Sequence, residues 1–213
     1  MRLRTILCTS ALTLLSTAVL SAAQAGVVTR ETTTTTTTTT TNHIDDKVIV
    51  ATGRDGKPLP SPRHLLTFTH AGDNGVTKIT ISYGAPSVRG RTIYGDVVPY
   101  DRWWRAGANE ATSLITDRTI RIGDLLVPAG SYTLDVLPTA SGWQLIVNKQ
   151  TGQWGTQYDP NQDLGRVPMD VTNLPSPQET LSYNIDHETP HSAMLHIRWA
   201  DKDAAVAIEF PRS

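Results

Sequence analysis

Apolar residues recur at every second position along most of this chain, a period that suits strands and suits helices badly. Leu66 and Phe68 share one parity, and Ile79, Ile81 and Tyr83 alternate with Lys78, Thr80 and Ser82. Tyr132, Leu134 and Val136 alternate in the same way with Thr133 and Asp135. Side chains on a strand point to opposite faces in turn, so the pattern describes strands buried on one side. No window sustains the 3.6-residue period of an amphipathic helix. Turn signals such as Asp73-Asn74-Gly75 and Ser141-Gly142 separate the runs. The expected fold class is all-β, an antiparallel β-sandwich or jelly-roll-like arrangement.

Three parts are expected along the chain. Residues 1–25 read as a signal peptide: Arg2 and Arg4 precede an apolar run from Ile6 to Leu20, and Ala23-Gln24-Ala25 supplies the cleavage signal. The run is too short and too spotted with Ser and Thr for a membrane anchor, so no stable membrane insertion is expected after cleavage. The protein is expected to be exported, periplasmic or extracellular. Cys8 is the only cysteine and lies in the segment to be removed, which leaves no thiol and no disulfide. With Arg2 and Arg4 gone, 17 basic residues face 20 acidic ones, a net charge of −3. That balance argues against nucleic acid as a partner.

Residues 26–60 read as a disordered Thr-rich linker. The run Thr32 to Thr41 cannot bury enough apolar surface to offset the entropy of ordering it. A passive spacer is the plainer reading, and an O-glycosylated stalk the sharper one. A short strand is expected at Val48 to Val50. Residues 61–210 read as the β-sandwich domain. Within it, short strands are expected over 111–116 and 119–122, around Trp143, Leu145 and Val147, and weakly over 167–171. Gln150 to Gly165 reads as a long surface loop. The final portion reads as a three-strand meander on Leu181, Tyr183 and Ile185, then Leu195, Ile197 and Trp199, then Val206, Ile208 and Phe210.

The alternation breaks between Tyr83 and Thr112, where arginines, adjacent tryptophans and an Asn-Glu pair crowd together. Such a mixture marks a loop pinned across a sheet or a place where a ligand is held. Arg89, Arg91 and Arg105 can grip a carboxylate or phosphate, or can pair internally with Asp96, Asp101 and Glu110. Trp143 and Trp199 share parity with aliphatic residues and read as core. Trp103 and Trp104 point to opposite faces if they lie on a strand. Trp154, between Gly152 and Gly155, is the most exposed candidate, fit to stack on a sugar ring or peptide side chain, or to anchor a loop. Asn109 and Glu110 offer an amide and a carboxylate, and no second carboxylate is evident for glycosidase chemistry.

His187 and His191 are spaced for one helical face, but Pro190 and the two-residue period speak against a helix there. No metal site and no cofactor are expected. The chain lacks a nucleophile elbow, a zinc-protease motif, a phosphate-binding loop and a dinucleotide fingerprint.

Several long motifs carry a resemblance. They are Ser61-Pro62-Arg63, TISYGAPSVRGRTIYG over 80–95, VVPYDRWWRAGANEAT over 97–112, VPAGSYTLDVLP over 127–138 and WQLIVNKQTGQWG over 143–155. Residues 61–210 resemble a bacterial domain-of-unknown-function family, number 2911. The resemblance implies an exported β-rich domain of the bacterial envelope with no settled activity, and it brings no catalytic roles.

The reading that results is an exported bacterial β-sandwich acting as a ligand- or partner-binding envelope module. The expected partner is a small ligand, a glycan or a peptide. The candidate binding residues are Arg89, Arg105, Asn109, Glu110, Lys149 and Trp154. The alternatives are a hydrolase of envelope polymers with Glu110 as acid/base, and a purely structural domain in which Arg105 and Glu110 clasp one another.

Overall fold

A computed structural model describes residues 31–37, 43–50, 56–58, 60–72, 75–186 and 189–210. The predicted signal peptide lies outside the described residues. Eleven strands are present among them: β1 (Glu31–Thr37), β2 (His43–Ile49), β3 (Arg63–Gly72), β4 (Gly75–Gly84), β5 (Thr112–Thr116), β6 (Ile120–Ile122), β7 (Leu125–Val127), β8 (Gly130–Thr139), β9 (Gly142–Asn148), β10 (Asp163–Asp186) and β11 (Ser192–Glu209). A single 3-10 turn, Pro160–Gln162, precedes β10. All the strand pairs are antiparallel, in the order β1-β2-β3-β4-β5-β8-β9-β10-β11-β6-β7. The expected all-β class is what the chain adopts.

The long strand β10 turns this run of strands into two packed layers. Its first part, Asp163 to Met169, pairs with β9, and the rest, from Asp170 to Asp186, pairs with β11. The register slips between Asn173 and Gln178 and again between Gln178 and Ser182. Pro175 and Pro177 fall in this stretch, where neither can donate to a ladder. The strand therefore bends and carries the chain from the first layer into the second.

Rings from the two layers meet in the core. Tyr83 of β4 lies 4.7 Å from Tyr183 of β10, and Trp104 stacks on Trp199 of β11 at 5.8 Å. Trp143 and Trp199 are buried, as their parity predicts. Each buried side chain of this size contributes roughly 1.5–3 kcal/mol through removal from water.

Two differences from the sequence reading stand out. The expected three-strand meander is a two-strand hairpin, because the second and third runs belong to one strand, β11. Ala200 at φ 50 kinks that strand without ending it. Core residues change from odd numbers up to Trp199 to even numbers from Ala204, which one extra residue in the ladder produces. The second concerns the short strand expected at Val48 to Val50: it starts earlier, at His43, and runs to Ile49 as β2, which pairs with β3 on one side and β1 on the other.

Candidate functional site

The chain between β4 and β5, residues 85–111, is the segment in which the alternation breaks. It lies across both layers and is tied to each by backbone hydrogen bonds. The N–H of Val88 donates to the Glu179 carbonyl at 2.7 Å, and that of Leu181 to Pro86 at 2.9 Å, fastening the loop to β10. Trp104 exchanges two backbone bonds with Val136 of β8, at 2.7 and 2.8 Å. The loop thus continues the β8 edge where β5 stops. Adjacent Trp103 and Trp104 consequently face apart: Trp104 packs on the core, and Trp103 remains 36% exposed. Gly84 has to be glycine, since a Cβ there would collide with the Ala108 backbone.

Within this loop, Arg91 N–H donates to the Val88 carbonyl at 3.1 Å, closing a four-residue turn. Its two central residues, Arg89 and Gly90, have φ of 50° and 70°. Two positive φ values in succession are the signature of a type I′ turn, where Asn-Gly is the favoured pair. Arg89 is therefore an unusual occupant. Asn109 at φ 64, Ala106 at φ 45 and Ser61 at φ 65 are further non-glycine residues in this region of backbone space. Strain of this kind concentrates at binding and catalytic sites.

Of these residues, Arg89, Asn109 and Ser61 border a groove of about 630 Å³. Its walls carry Arg89, Arg91, Arg105, Asn109, Trp103 and Trp104, with Gly155 and Thr156 supplied by the loop after β9. No Asp or Glu is among the described residues that line it. The Arg91 guanidinium donates to the carbonyls of Ser87 at 2.7 Å and Val88 at 3.0 Å. Arg105 is half-buried and donates through Nε to the Gly107 carbonyl at 3.4 Å. Burial holds its guanidinium below the ordinary arginine value, and no carboxylate restores it. The Asn109 amide donates to the Ser61 carbonyl at 3.3 Å, which leaves its Oδ1 to serve as an acceptor. The groove therefore offers cationic donors, one amide acceptor and an indole face.

Of the six candidate binding residues, Arg89, Arg105 and Asn109 line this groove. Trp154 and Glu110 flank it, joined by an isolated β-bridge, and Trp154 is 49% exposed. Lys149 is not brought to the groove; it is exposed at the end of β9, and its N–H donates to the Gln162 carbonyl at 2.8 Å. Glu110 is exposed and accepts from Arg63 Nη1 at 3.1 Å, with no bond to Arg105. The reciprocal clasp between Arg105 and Glu110 is thus not what holds the loop. Arg63 also donates to Ser82 Oγ at 2.9 Å, and it entered the sequence reading only as part of a shared motif. Arg91, able like Arg89 and Arg105 to grip an anion but outside the six binding candidates, lines the groove as well.

A second polar cluster lies under the loop after β9. Tyr158 donates its hydroxyl to the Asp163 carboxylate, Arg166 Nε reaches the same carboxylate at 2.9 Å, and Asn148 donates to it at 2.9 Å. Burial, and then the Asp163 carboxylate, push the Tyr158 phenol up to about 12, against a smaller lowering by Arg166. Asp135 on β8 is 3% exposed, and burial, aided by the Asp163 charge, raises its carboxyl from 3.8 to about 7. On the other layer, His196 lies between Asp203 and Asp186, 2.9 Å from each, and Arg198 bridges both carboxylates. Among the described residues, no group of His, Cys, Asp and Glu is placed to hold a metal ion, and no helix is long and apolar enough to cross a membrane.

No curated protein and no solved structure matches the chain. A family model does, over residues 61–208, a span that contains every groove residue from Ser61 to Trp199. The chain belongs to the family described as "Protein of unknown function (DUF2911)".

Proposed function

We propose that this protein is a non-catalytic binding module whose groove holds an anionic ligand. One observation carries the reading: Arg105 is half-buried, faces a 630 Å³ groove and has no carboxylate for company. A desolvated, unpaired cation is costly, and the missing counter-charge is what a ligand would bring. Arg89 and Arg91 add to the same local field, on a chain whose formal net charge is −1. A guanidinium can hold a carboxylate or a phosphate through two parallel hydrogen bonds. Delivery by a signal peptide into the periplasm or beyond, with the domain over about residues 61–210, belongs to the same proposal. It rests on the sequence pattern of the first 25 residues.

The test is a titration followed by isothermal calorimetry and tryptophan fluorescence, using inorganic phosphate, glucuronate and uncharged glucose. Phosphate or glucuronate should bind, glucose should not, and added salt should weaken the binding. Which of the two anions binds tells a phosphate site from a carboxylate site. Arg105→Met should lower affinity roughly 10- to 100-fold, the range for one charge-assisted hydrogen-bonding group. Absence of binding by both anions, or equal binding by the variant, would overturn the proposal.

A further inference from the structure

A second concavity, of about 400 Å³, lies directly beside the groove. Arg91 lines both. The boundary also passes between chain neighbours: Ser87, Pro99 and Trp199 line the groove, and Val88, Tyr100 and Ala200 line its companion. Three segments, 87–91, 99–100 and 199–200, thus contribute to both concavities. Together the two enclose roughly 1,000 Å³, the upper limit of ordinary small-molecule pockets.

The two halves differ in charge. The groove has three arginines and no acid. The companion has Arg91 and Lys202 balanced by Glu179 and Asp201, together with Gln178 and Tyr100. Lys202 already contacts Asp201 at 2.9 Å, and Glu179 Oε1 already accepts the Arg89 N–H at 2.9 Å. That half is polar but neutral, a surface suited to hydroxyl groups. Each half also presents an exposed ring, Trp103 at 36% and Tyr100 at 39%. Flat aromatic faces flanked by donors and acceptors are the usual platform for sugar rings.

We infer that the two concavities form one cleft for an oligosaccharide that carries an acidic sugar. The acid group lies against Arg89 and Arg105, its hydroxyls meet Asn109 Oδ1, and a neutral sugar continues across Arg91 onto Tyr100 and Gln178. An acidic peptide fits less well, because the neutral half already contains two carboxylates. This inference rests on the anion-binding reading above and adds to it the class of ligand and its length.

The experiment compares glucuronate with the di- and tetrasaccharide of hyaluronan, in which glucuronate alternates with a neutral N-acetyl sugar. Neutral chitotetraose and tetraglutamate serve as controls. Affinity should rise at least tenfold from glucuronate to the tetrasaccharide, while both controls bind no better than glucuronate. Tyr100→Ala should remove most of that gain and leave glucuronate affinity unchanged; Tyr100 is exposed, so the variant should fold. Equal affinity for glucuronate and tetrasaccharide, or a tetrasaccharide gain untouched by Tyr100→Ala, would overturn the cleft while leaving the anion site intact. Tighter binding of tetraglutamate would reassign the cleft to acidic peptides. Failure of glucuronate and both hyaluronan fragments together would remove the anion-binding reading for carboxylates as well.

Discussion

Gly155 lies against the stem of Arg105: a Cβ placed on it would stand 2.5 Å from Arg105 Cδ and 2.6 Å from the Asn109 carbonyl oxygen. The Gly155 N–H meanwhile donates to that same carbonyl at 3.1 Å. Two loops 46 to 50 residues apart in sequence are thereby brought together at the groove wall. Only a residue without a side chain permits the approach.

Gly155→Ala is therefore expected to disturb the site more than the fold. Arg105 Cδ belongs to a flexible side chain and can retreat, but the Asn109 backbone cannot do so without lengthening its bond to residue 155. Such overpacking typically costs about 1–3 kcal/mol. Urea denaturation should report a loss in that range, and anion titration should show affinity reduced by tenfold or more. A variant that binds as the wild type does would show that the approach of the two loops is unimportant to the site.

Arg105→Met separates stability from binding. The guanidinium has one long hydrogen bond, to Gly107, and no ion pair, so its removal leaves no carboxylate stranded. Stability by urea denaturation should stay within about 1 kcal/mol of the wild type, or rise, while the anion affinity falls. A large loss of stability would instead assign Arg105 to the scaffold.

Much of the architecture is legible because strand parity is a local property. The alternation at Ile79, Ile81 and Tyr83 and at Tyr132, Leu134 and Val136 names the buried face without any knowledge of the partner strand. Even the bulge in β11 leaves a trace, the change of core parity between Trp199 and Ala204, although the polar residues Asp201 to Asp203 mimic a turn. The site is less legible, since it is made by distance in sequence. Arg63 and Glu110 are 47 positions apart, and nothing local says that they meet instead of Arg105 and Glu110. Lys149 shares a motif with Trp154 and yet points elsewhere. The groove depends on how two loops and Ser61 come together, and no periodicity encodes that.

Asp135 should make stability fall as the pH rises. Its carboxyl ionises at about 7 in the fold, against an ordinary value of 3.8, chiefly because it is buried and then because Asp163 lies near. Between those values the folded state binds more protons than the unfolded chain, so the slope of unfolding free energy with pH is negative. Below about pH 4 the carboxyl is neutral in both states and no penalty applies, and by pH 7 to 8 the fold bears a penalty of up to roughly 4 kcal/mol, at 1.36 kcal/mol per unit. Asp135→Asn keeps the shape and removes the titration. Melting temperatures at pH 5 and pH 8 should differ less in the variant, and the variant should be the more stable protein at pH 8. An unchanged difference between the two pH values would show that Asp135 does not titrate in this range.

The turn at Arg89-Gly90 offers a case in which fold and site want different residues. A type I′ turn places both central residues at positive φ, and Asn is accommodated there far better than Arg. Arg89→Asn should therefore stabilise the protein by about 0.5–1 kcal/mol, or roughly 1–4 °C in melting temperature for a domain of this size. Position 89 lines the groove, and its guanidinium has no described partner in the protein, so nothing structural is lost with it. Anion affinity should fall nonetheless, with a smaller dependence on salt, because one of three cations has gone. A gain in stability together with a loss in binding would identify the arginine as a residue kept for the ligand at the expense of the turn. Loss of stability would mean instead that the side chain supports the loop, and unchanged binding would remove Arg89 from the site.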